Sequence, residues 1–311
     1  MSQIKKYRLV TRSDMDGLVS AILLRELDMV DEIKFVHPKD VQDGKIELTA
    51  RDITTNLPYV ETVHMCFDHH YSEMLRLDAK SPNYVIDPRA PSAARVVYDF
   101  FGGRARFPEI PDEMMEAVDK SDAAQFNEDE VLHPTGWDLL SFIMDARTGL
   151  GRFKSFRVSN YTLMMDLISY CRDHSIEAIL ELPDVKERTD LYFQLEAPFK
   201  EQLLRCSAVH KNLVVLDLRR EETIYPGNRF MLYSLYPRCT LSMHILWGIR
   251  KENTVFAVGK SILNRSSPIK IGALMLEYGG GGHAEAGTCQ VDNERSEVVK
   301  QNLIERLTDD G

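Results

Sequence analysis

The chain has 311 residues, of which 44% are hydrophobic and 28% are charged, and its formal net charge is −10. This length favours two domains of ordinary size, and the composition is typical of a soluble globular protein. The acidic balance argues against binding to duplex DNA, which needs a basic face, but permits a short anionic substrate held by a local pocket or by metal.

The five cysteines are scattered and include no Cys-x-x-Cys pair. This pattern favours reduced thiols over a disulfide framework or a zinc knuckle. The first residues are not followed by the apolar segment of a signal peptide, and no apolar stretch approaches the roughly 20 residues of a membrane span. We therefore expect a cytoplasmic protein with no membrane partner, and whether it forms a homodimer is left open.

The first predicted strand, Tyr7–Thr11, leads into a loop and then a helix with an apolar stripe. Asp14 and Asp16 lie two residues apart on this loop, and Gly17 allows the backbone to turn tightly. Two carboxylates this close repel each other unless a cation lies between them. The alternative interpretation, a helix N-cap and a solvated turn residue, stays open on this motif alone.

Three more predicted strands follow, at residues 33–36, 46–50 and 63–67. The strand at 46–50 stops at Asp52, whose alternative interpretation is the N-cap of the next turn, and the strand at 63–67 runs into Asp68-His69-His70. Strands alternating with helices predict a mostly parallel sheet that binds ligands at its carboxyl edge. An oxygen-rich cluster with imidazole, suited to Mn²⁺, Fe²⁺, Co²⁺ or Mg²⁺, is expected there. Its members would be Asp14, Asp16, Asp52, Asp68 and His69.

A strand at 84–86 is followed by predicted helices at 91–101, 112–124 and 137–144. Asp119 and Asp122 lie at the end of the second of these helices, where a negative charge opposes the helix dipole. Solvation at the surface is one explanation, and a further metal ligand is the other.

The second half begins with long predicted helices at 161–173 and 186–210. Strands of a smaller sheet are predicted at 213–218, 229–235, 241–249 and 254–258, and a helix at 268–278. We therefore predict a domain at 1–185, a helical linker at 186–210 and a second domain at 211–311.

Four consecutive glycines, 279–282, precede His283. Glycine lets a backbone approach a ligand and point successive amides at it, which makes an anion nest. A plain flexible loop is the alternative.

Four motifs of this chain resemble, in order, type and approximate spacing, those of the DHH phosphoesterase superfamily. They are Asp14-x-Asp16-Gly17, the lone Asp52, Asp68-His69-His70 and the acid near residue 120. The segment 280–287 also resembles the substrate-binding signature of the C-terminal domain associated with that superfamily. The resemblance is closest to exopolyphosphatase-related proteins and to nano-RNases that also act as bisphosphate phosphatases.

The resemblance implies a site for two divalent metals, Mn²⁺ or Mg²⁺. Asp14 would bind one metal and Asp16 the other, Asp52 would bridge them, and Asp122 is preferred over Asp119 as the last acid. In full, the implied metal ligands are Asp14, Asp16, Asp52, His69, Asp122 and Asp119; the catalytic residues are Asp68, His69 and His70; and the substrate-binding residues are Arg12, Arg265, Ser266, Gly280, Gly281, Gly282 and His283.

One position departs from the pattern of the superfamily. Its first motif usually starts with a histidine ligand four residues before the first Asp, where this chain has Val10, and some branches carry a histidine two residues before, where this chain has Arg12. An arginine cannot bind a metal, and its charge opposes one nearby. Either Arg12 contacts substrate phosphate, or one of the two metal sites is weakened and only partly occupied.

The implied fold is an α/β protein of two domains. A larger N-terminal domain has a mostly parallel sheet with helices on both faces, a helical linker follows, and a smaller C-terminal α/β domain closes a cleft between them. The implied function is metal-dependent phosphohydrolysis of a phosphodiester, phosphomonoester or phosphoanhydride in a short single-stranded oligonucleotide, a nucleotide or a polyphosphate. The alternative is a nucleotide-binding or sensing protein that kept the fold and lost the chemistry.

Overall fold

The computed structural model describes residues 6–70, 81–282 and 284–308. The chain divides into two compact units, the first made of residues 1–125 and 134–192 and the second of residues 126–133 and 193–311. The division near residue 192 falls inside the segment 186–210, whose role as a linker stays a prediction. Among the described residues, no helix combines the length and the apolar character needed to cross a membrane.

The elements are as follows. The strands are β1 (Tyr7–Thr11), β2 (Val30–Phe35), β3 (Asp52–Thr55), β4 (Met65–Asp68), β5 (Tyr84–Ile86), β6 (Ser207–His210), β7 (Leu213–Asp217), β8 (Leu241–Trp247), β9 (Asn253–Lys260), β10 (Gly281–Gly282) and β11 (Ala286–Asp292). The helices are α1 (Met15–Glu26), α2 (Pro38–Gln42), α3 (Ala93–Phe100), α4 (Asp112–Asp122), α5 (Glu128–Leu132), α6 (Gly136–Met144), α7 (Asn160–Asp173), α8 (Ile176–Leu180), α9 (Pro183–Gln194), α10 (Glu196–Arg205), α11 (Met231–Leu235), α12 (Ile271–Leu276) and α13 (Ser296–Thr308).

The sheet of the first unit has the order β2-β1-β3-β4-β5, and every adjacent pair is parallel. This confirms the prediction of a parallel α/β domain. Successive side chains of a strand face opposite sides, so Leu9 of β1 packs into the core around α1, whereas Val10 packs with Val41 of α2 on the other face. Because all carboxyl ends of the strands lie at one edge, the loops after β1, β3 and β4 are neighbours there.

Helix α1 is the central helix of the first unit. Its residues from Met15 to Leu24 are all buried, which is the pattern of a helix surrounded by packing on every side. The helix packs against β2, α3, α4 and α7. The N-terminus of α1 is therefore held rigidly, together with the two aspartates that flank its first residue.

The predicted strand at 46–50 is wrong, and the error moves Asp52 to the opposite end of a strand. Strand β3 begins at Asp52, which pairs in register with Arg8 near the start of β1. Arg8 Nε donates to Asp52 Oδ1 at 2.6 Å, and the backbone N of Thr49 donates to Oδ2 at 2.6 Å. Asp52 thus holds the amino ends of two strands together.

The second unit contains a mixed sheet of order β10-β11-β9-β8-β7-β6, in which β7 and β8 are parallel and the other adjacent pairs are antiparallel. Helices α12 and α13 bury their apolar faces against this sheet. The α/β prediction is thereby confirmed, and the two units are compatible with the predicted two-domain arrangement.

Two local predictions in the second unit are wrong. Residues 207–210 form β6 instead of continuing a helix, and the predicted strand at 229–235 contains helix α11. Met231, Leu232 and Tyr233 are consecutive and all buried. A continuous run of buried apolar residues shows neither the alternation of a strand nor the spacing of an amphipathic helix, so the sequence pattern could not distinguish the two.

The glycine segment pairs with β11 instead of forming an open loop. A Cβ on Gly280 would lie 2.0 Å from Thr288 O, and one on Gly282 would lie 2.2 Å from Ala286 O. Both distances are too short for any side chain, so glycine is needed here for close backbone packing. An additional role in anion binding stays a prediction.

Candidate metal and phosphate site

Asp14 begins helix α1. Its Oδ1 accepts from the backbone N of Gly17 at 3.1 Å, and its Oδ2 lies 3.1 Å from Arg12 Nε. The N-cap interpretation is therefore right for this residue, and an ion pair with Arg12 is added to it. Burial raises the pKa of Asp14, and the charges of Arg12 and Arg147 act in the opposite direction.

Asp16 lies in the first turn of α1 and is 1% exposed. Its two carboxylate oxygens accept from the backbone N of Ala93 at 3.1 Å and of Ala94 at 2.6 Å, at the start of helix α3. Amides at a helix N-terminus favour a negative charge. The carboxylate is thus fixed in place where its charge can serve a cation.

His69 follows the end of β4, and Asp122 is the last residue of α4. His69 Nε2 lies 2.8 Å from Asp122 Oδ2, and His69 Nδ1 lies 3.2 Å from the backbone oxygen of Ala90. One ligand atom from each of Asp16, His69 and Asp122 can be chosen so that all three lie within 4.8 Å of one another. The structure therefore brings three of the predicted metal ligands together.

The electrostatics of this triad show a concentrated negative charge. Burial by itself lowers the pKa of His69, but Asp122 and Asp16 outweigh burial and raise the pKa to about 9. The pKa of Asp16 is raised well above its ordinary value by burial and by the charge of Asp122. The proton on His69 therefore offsets the charge of Asp122, and a cation bound in the triad would take its place.

The donor set fits one divalent cation. His69 Nε2 is buried and within ion-pair distance of Asp122, yet it has no aligned hydrogen bond to any described residue. With its Nδ1 directed to a carbonyl, a neutral His69 presents Nε2 as a ligand. Mn²⁺ and Fe²⁺ prefer a ligand set of carboxylates and imidazole, such as this one, over a set of thiolates.

Asp68 and His70 complete the motif after β4. Asp68 is 0% exposed; its Oδ1 lies 2.6 Å from His70 Nδ1 and accepts from the backbone N of His69 at 2.9 Å, and Tyr84 Oη donates to Oδ2 at 3.1 Å. Burial raises the pKa of Asp68, but His70 and His69 outweigh it and lower the pKa. Asp68 thus orients His70 and fixes the backbone at His69, and the catalytic roles assigned to these residues stay predictions.

Asp52 and Asp119 lie outside this cluster. Asp52 is at the amino end of its strand, and a parallel sheet places its amino and carboxyl ends at opposite edges. Asp119 accepts from Ser92 Oγ at 2.8 Å and from Arg95 Nε at 2.9 Å. Both acids are paired with arginines instead of joining the triad, and their assignment as metal ligands stays a prediction that this geometry does not favour.

A search of solved structures identifies relatives of this arrangement. The chain is similar to the pGpG-specific phosphodiesterase PggH from Vibrio cholerae, with 59% identity, a TM-score of 0.81, and a match that covers 98% of this chain and 100% of that one. The chain belongs to the DHH phosphoesterase superfamily. Since it is 59% identical to a phosphodiesterase over nearly its whole length, it is a phosphohydrolase.

A more distant member shares the fold. RecJ from Thermus thermophilus, solved in complex with Mn²⁺, matches this DHH phosphoesterase with a TM-score of 0.53 and 16% identity, over 98% of this chain and 52% of that one. No family profile and no curated protein sequence matches the chain.

The substrate-binding residues predicted in the second unit lie after β9 and around β10. Arg265 is exposed and its Nε donates to Ile262 O at 3.3 Å, while Ser266 Oγ donates to Asn264 Oδ1 at 2.8 Å. His283 lies outside the described residues. The assignment of Arg265, Ser266 and His283 to substrate stays a prediction.

Two residues of this DHH phosphoesterase were missed in the sequence. Asn56 follows the carboxyl end of β3, the position that the sequence pattern assigns to Asp52, and Arg147 is close enough for its charge to act on Asp14 and Asp122. The signal for Asn56 was its position directly after Thr54-Thr55, a pair of β-branched residues typical of a strand. Arg147 lies in a short 3-10 helix, Ala146–Thr148, far along the chain, and had no such signal.

Proposed function

We propose that this chain is a divalent-metal-dependent phosphodiesterase of short single-stranded oligonucleotides, and that pGpG is its substrate. The observation that carries the proposal is the 59% identity, over 98% of the chain, to a phosphodiesterase that is specific for pGpG. The triad of Asp16, His69 and Asp122 supports the metal dependence.

The roles of the residues follow from their positions. Asp16, His69 and Asp122 would hold the ion, which supplies charge neutralisation at phosphorus and a lowered pKa for attacking water. Arg12 stands beside this triad and can pair with a non-bridging phosphate oxygen. Asp68 keeps the His70 ring in one orientation, so that the imidazole can hydrogen-bond a phosphate oxygen or transfer a proton.

The direct experiment is an assay of the full chain with Mn²⁺ on pGpG, a longer RNA, adenosine 3′,5′-bisphosphate and polyphosphate. We expect pGpG to be cleaved fastest and chelation of metal to abolish turnover. His69→Gln should lower turnover by roughly 100-fold or more, because even partners outside the ligand set change activity 10–100-fold. The matched control is His133→Gln, since His133 forms an exposed pair with Asp129 in the second unit. Absence of turnover of all four compounds would contradict the proposal.

A nucleotide-binding protein without chemistry is the second candidate, and the presence of Arg12 where some branches of the superfamily carry a histidine ligand favours it. Equilibrium binding of pGpG separates the two candidates. Tight binding with no product after prolonged incubation in Mn²⁺ would establish the binder, whereas release of mononucleotide establishes the enzyme.

A further inference from the structure

The two-ion arrangement implied by the resemblance requires ligands that this chain does not place at the second position. Asp14 is the acid available there, and both of its oxygens already have partners, the backbone N of Gly17 and Arg12 Nε. Val10 is fully buried in the apolar core and has no atom that can bind a metal. Asp52, the expected bridge, lies at the other edge of the sheet.

Asn56 lies at the carboxyl end of β3, where a bridging ligand would be needed. Its backbone N donates to Phe67 O at 3.1 Å, which sets it beside Asp68. The side chain is 1% exposed, and neither its amide oxygen nor its nitrogen has a hydrogen-bond partner among the described residues. Its φ of +55° suits asparagine, but this does not explain two buried polar atoms without partners, which are costly unless a ligand satisfies them.

The chemistry of an amide differs from that of a carboxylate at such a place. An amide offers one neutral oxygen acceptor and two N–H donors, whereas a carboxylate has two anionic oxygens that can join two cations. Asn56 can therefore donate to a phosphate or to water beside one ion, but it cannot bridge two ions as a carboxylate does.

Arg12, on the loop directly after β1, brings a positive charge to the same carboxyl edge of the sheet. Its Nε lies 3.1 Å from Asp14 Oδ2, its charge also acts on Asp122, and its side chain is 25% exposed. A guanidinium presents paired donors that match a phosphate. Arg147 adds a second guanidinium whose charge acts on Asp14 and Asp122.

We propose that this enzyme works with one divalent ion, held by Asp16, His69 and Asp122, and that the Arg12 guanidinium replaces a second ion as the cation that grips the substrate phosphate. The inference rests on the proposed function as a metal-dependent phosphodiesterase. The charges agree with it, since the carboxylates of Asp16 and Asp122 balance one divalent ion, and the two guanidinium groups of Arg12 and Arg147 bring positive charge for both Asp14 and the phosphate. Asn56 then donates to the same phosphate or to water next to it.

The first test counts ions without any substrate. The full chain is stripped of metal, titrated with Mn²⁺ by calorimetry, and examined by electron paramagnetic resonance. We expect about one tightly bound ion per chain with the six-line pattern of an isolated Mn²⁺, and loss of that ion in His69→Gln. Two ions per chain with the broadened spectrum of a coupled pair, which lie about 3.5–4 Å apart, would overturn the proposal.

The second test concerns the guanidinium, with inorganic phosphate as the probe for the Mn²⁺-loaded protein. Arg12→Ala should weaken phosphate binding and raise the KM for pGpG by roughly 10- to 100-fold, while the Mn²⁺ count stays at one. Arg12→Lys keeps the charge without the paired donors, so its phosphate affinity and its KM should lie between those of the natural chain and those of Arg12→Ala. Unchanged phosphate affinity in both variants would refute the role of Arg12, and since phosphate binding requires no turnover, this outcome is distinct from failure of pGpG as a substrate.

The third test rebuilds the missing ligands in a double variant, Arg12→His with Asn56→Asp. If these two positions decide the number of ions, the double variant should bind about two Mn²⁺ per chain and show a coupled spectrum. A folded double variant, verified by circular dichroism, that still binds a single ion contradicts the assignment of Arg12 and Asn56. If it does not fold, the count in the natural chain still decides the proposal.

Discussion

The position of Asp52 shows how two aspartates of similar sequence context acquire different tasks. Asp16 is buried beside His69 and Asp122, where its charge serves a cation, whereas Asp52 is buried beside Arg8 and serves the sheet. Asp16 lies in the first turn of helix α1, and Asp52 is the first residue of strand β3. The difference lies in which neighbour the fold provides, a histidine and a second acid in one case and an arginine in the other.

This distinction predicts the outcome of Asp52→Ala. The change removes the main partner of Arg8, which keeps only a 3.9 Å contact with Glu32 and a hydrogen bond to Glu47 O. It also removes the acceptor of the Thr49 amide, so the free energy of unfolding should fall by about 1–3 kcal/mol. Mn²⁺ affinity and turnover of the folded protein should stay at the level of the natural chain. Urea denaturation and Mn²⁺ titration measure the two effects, and Asp129→Ala, which removes an exposed pair with His133, is the control with little change. Loss of Mn²⁺ binding at unchanged stability would show instead that Asp52 is a metal ligand.

At the scale of elements, the junction of β1 and α1 sets the geometry of the site. The chain leaves β1 at Thr11 and enters α1 within four residues, and in that interval it must place Arg12 and Asp14. This tight path brings Gly17 close to the backbone of Arg12. A Cβ added at Gly17 would lie 1.9 Å from Arg12 O, closer than any side chain can approach.

We therefore predict that Gly17→Ala disrupts the junction. The clash is with backbone and cannot be relieved by a rotamer change, so we expect a loss of about 3 kcal/mol or more in the free energy of unfolding, together with weaker Mn²⁺ binding. The matched control is Gly44→Ala, because Gly44 has a positive φ of +67° but open space around it, and about 1 kcal/mol is the expected loss there. Equal losses in the two variants would show that the close approach at Gly17 has no energetic effect.

At the scale of the whole molecule, each unit has its own apolar core, and each therefore has its own stability. In the second unit Asp217, at the end of β7, ties the sheet to α13. Arg219 Nη2 donates to its Oδ2 at 2.6 Å and Lys300 Nζ donates to the same oxygen at 2.9 Å. Burial raises the pKa of Asp217, but these two cations outweigh burial and hold the pKa well below its ordinary value.

A lowered pKa makes the second unit sensitive to acid. An aspartate with a depressed folded-state pKa contributes stability above its unfolded pKa of about 3.9, and this contribution is lost as the pH falls below that value. We expect the melting temperature of the natural chain to fall more steeply between pH 5 and pH 3 than that of Asp217→Asn, which should be less stable at neutral pH. Trp247, whose Nε1 donates to Arg219 O at 2.8 Å, reports on this unit by fluorescence in a Trp137→Phe background. Parallel acid profiles of the two proteins would contradict the prediction.

The local motifs were readable from the sequence because their chemistry is set by neighbours along the chain. The passage from β1 through Asp14 and Asp16 into α1, and the delivery of His69 at the end of β4, both follow from short-range patterns of apolar residues, acids and glycine. The parallel sheet follows from the alternation of strands and helices.

Tertiary packing alone decided which of these groups meet. Register placed Asp52 opposite Arg8 and left Asn56 at the carboxyl edge, a shift of four residues that no local pattern reveals. The packing of α4 directed Asp122 to His69 and Asp119 to Arg95, although the two acids are three residues apart on one helix. A metal site depends on distances of a few ångströms between side chains remote in the sequence, and only the folded chain determines such distances.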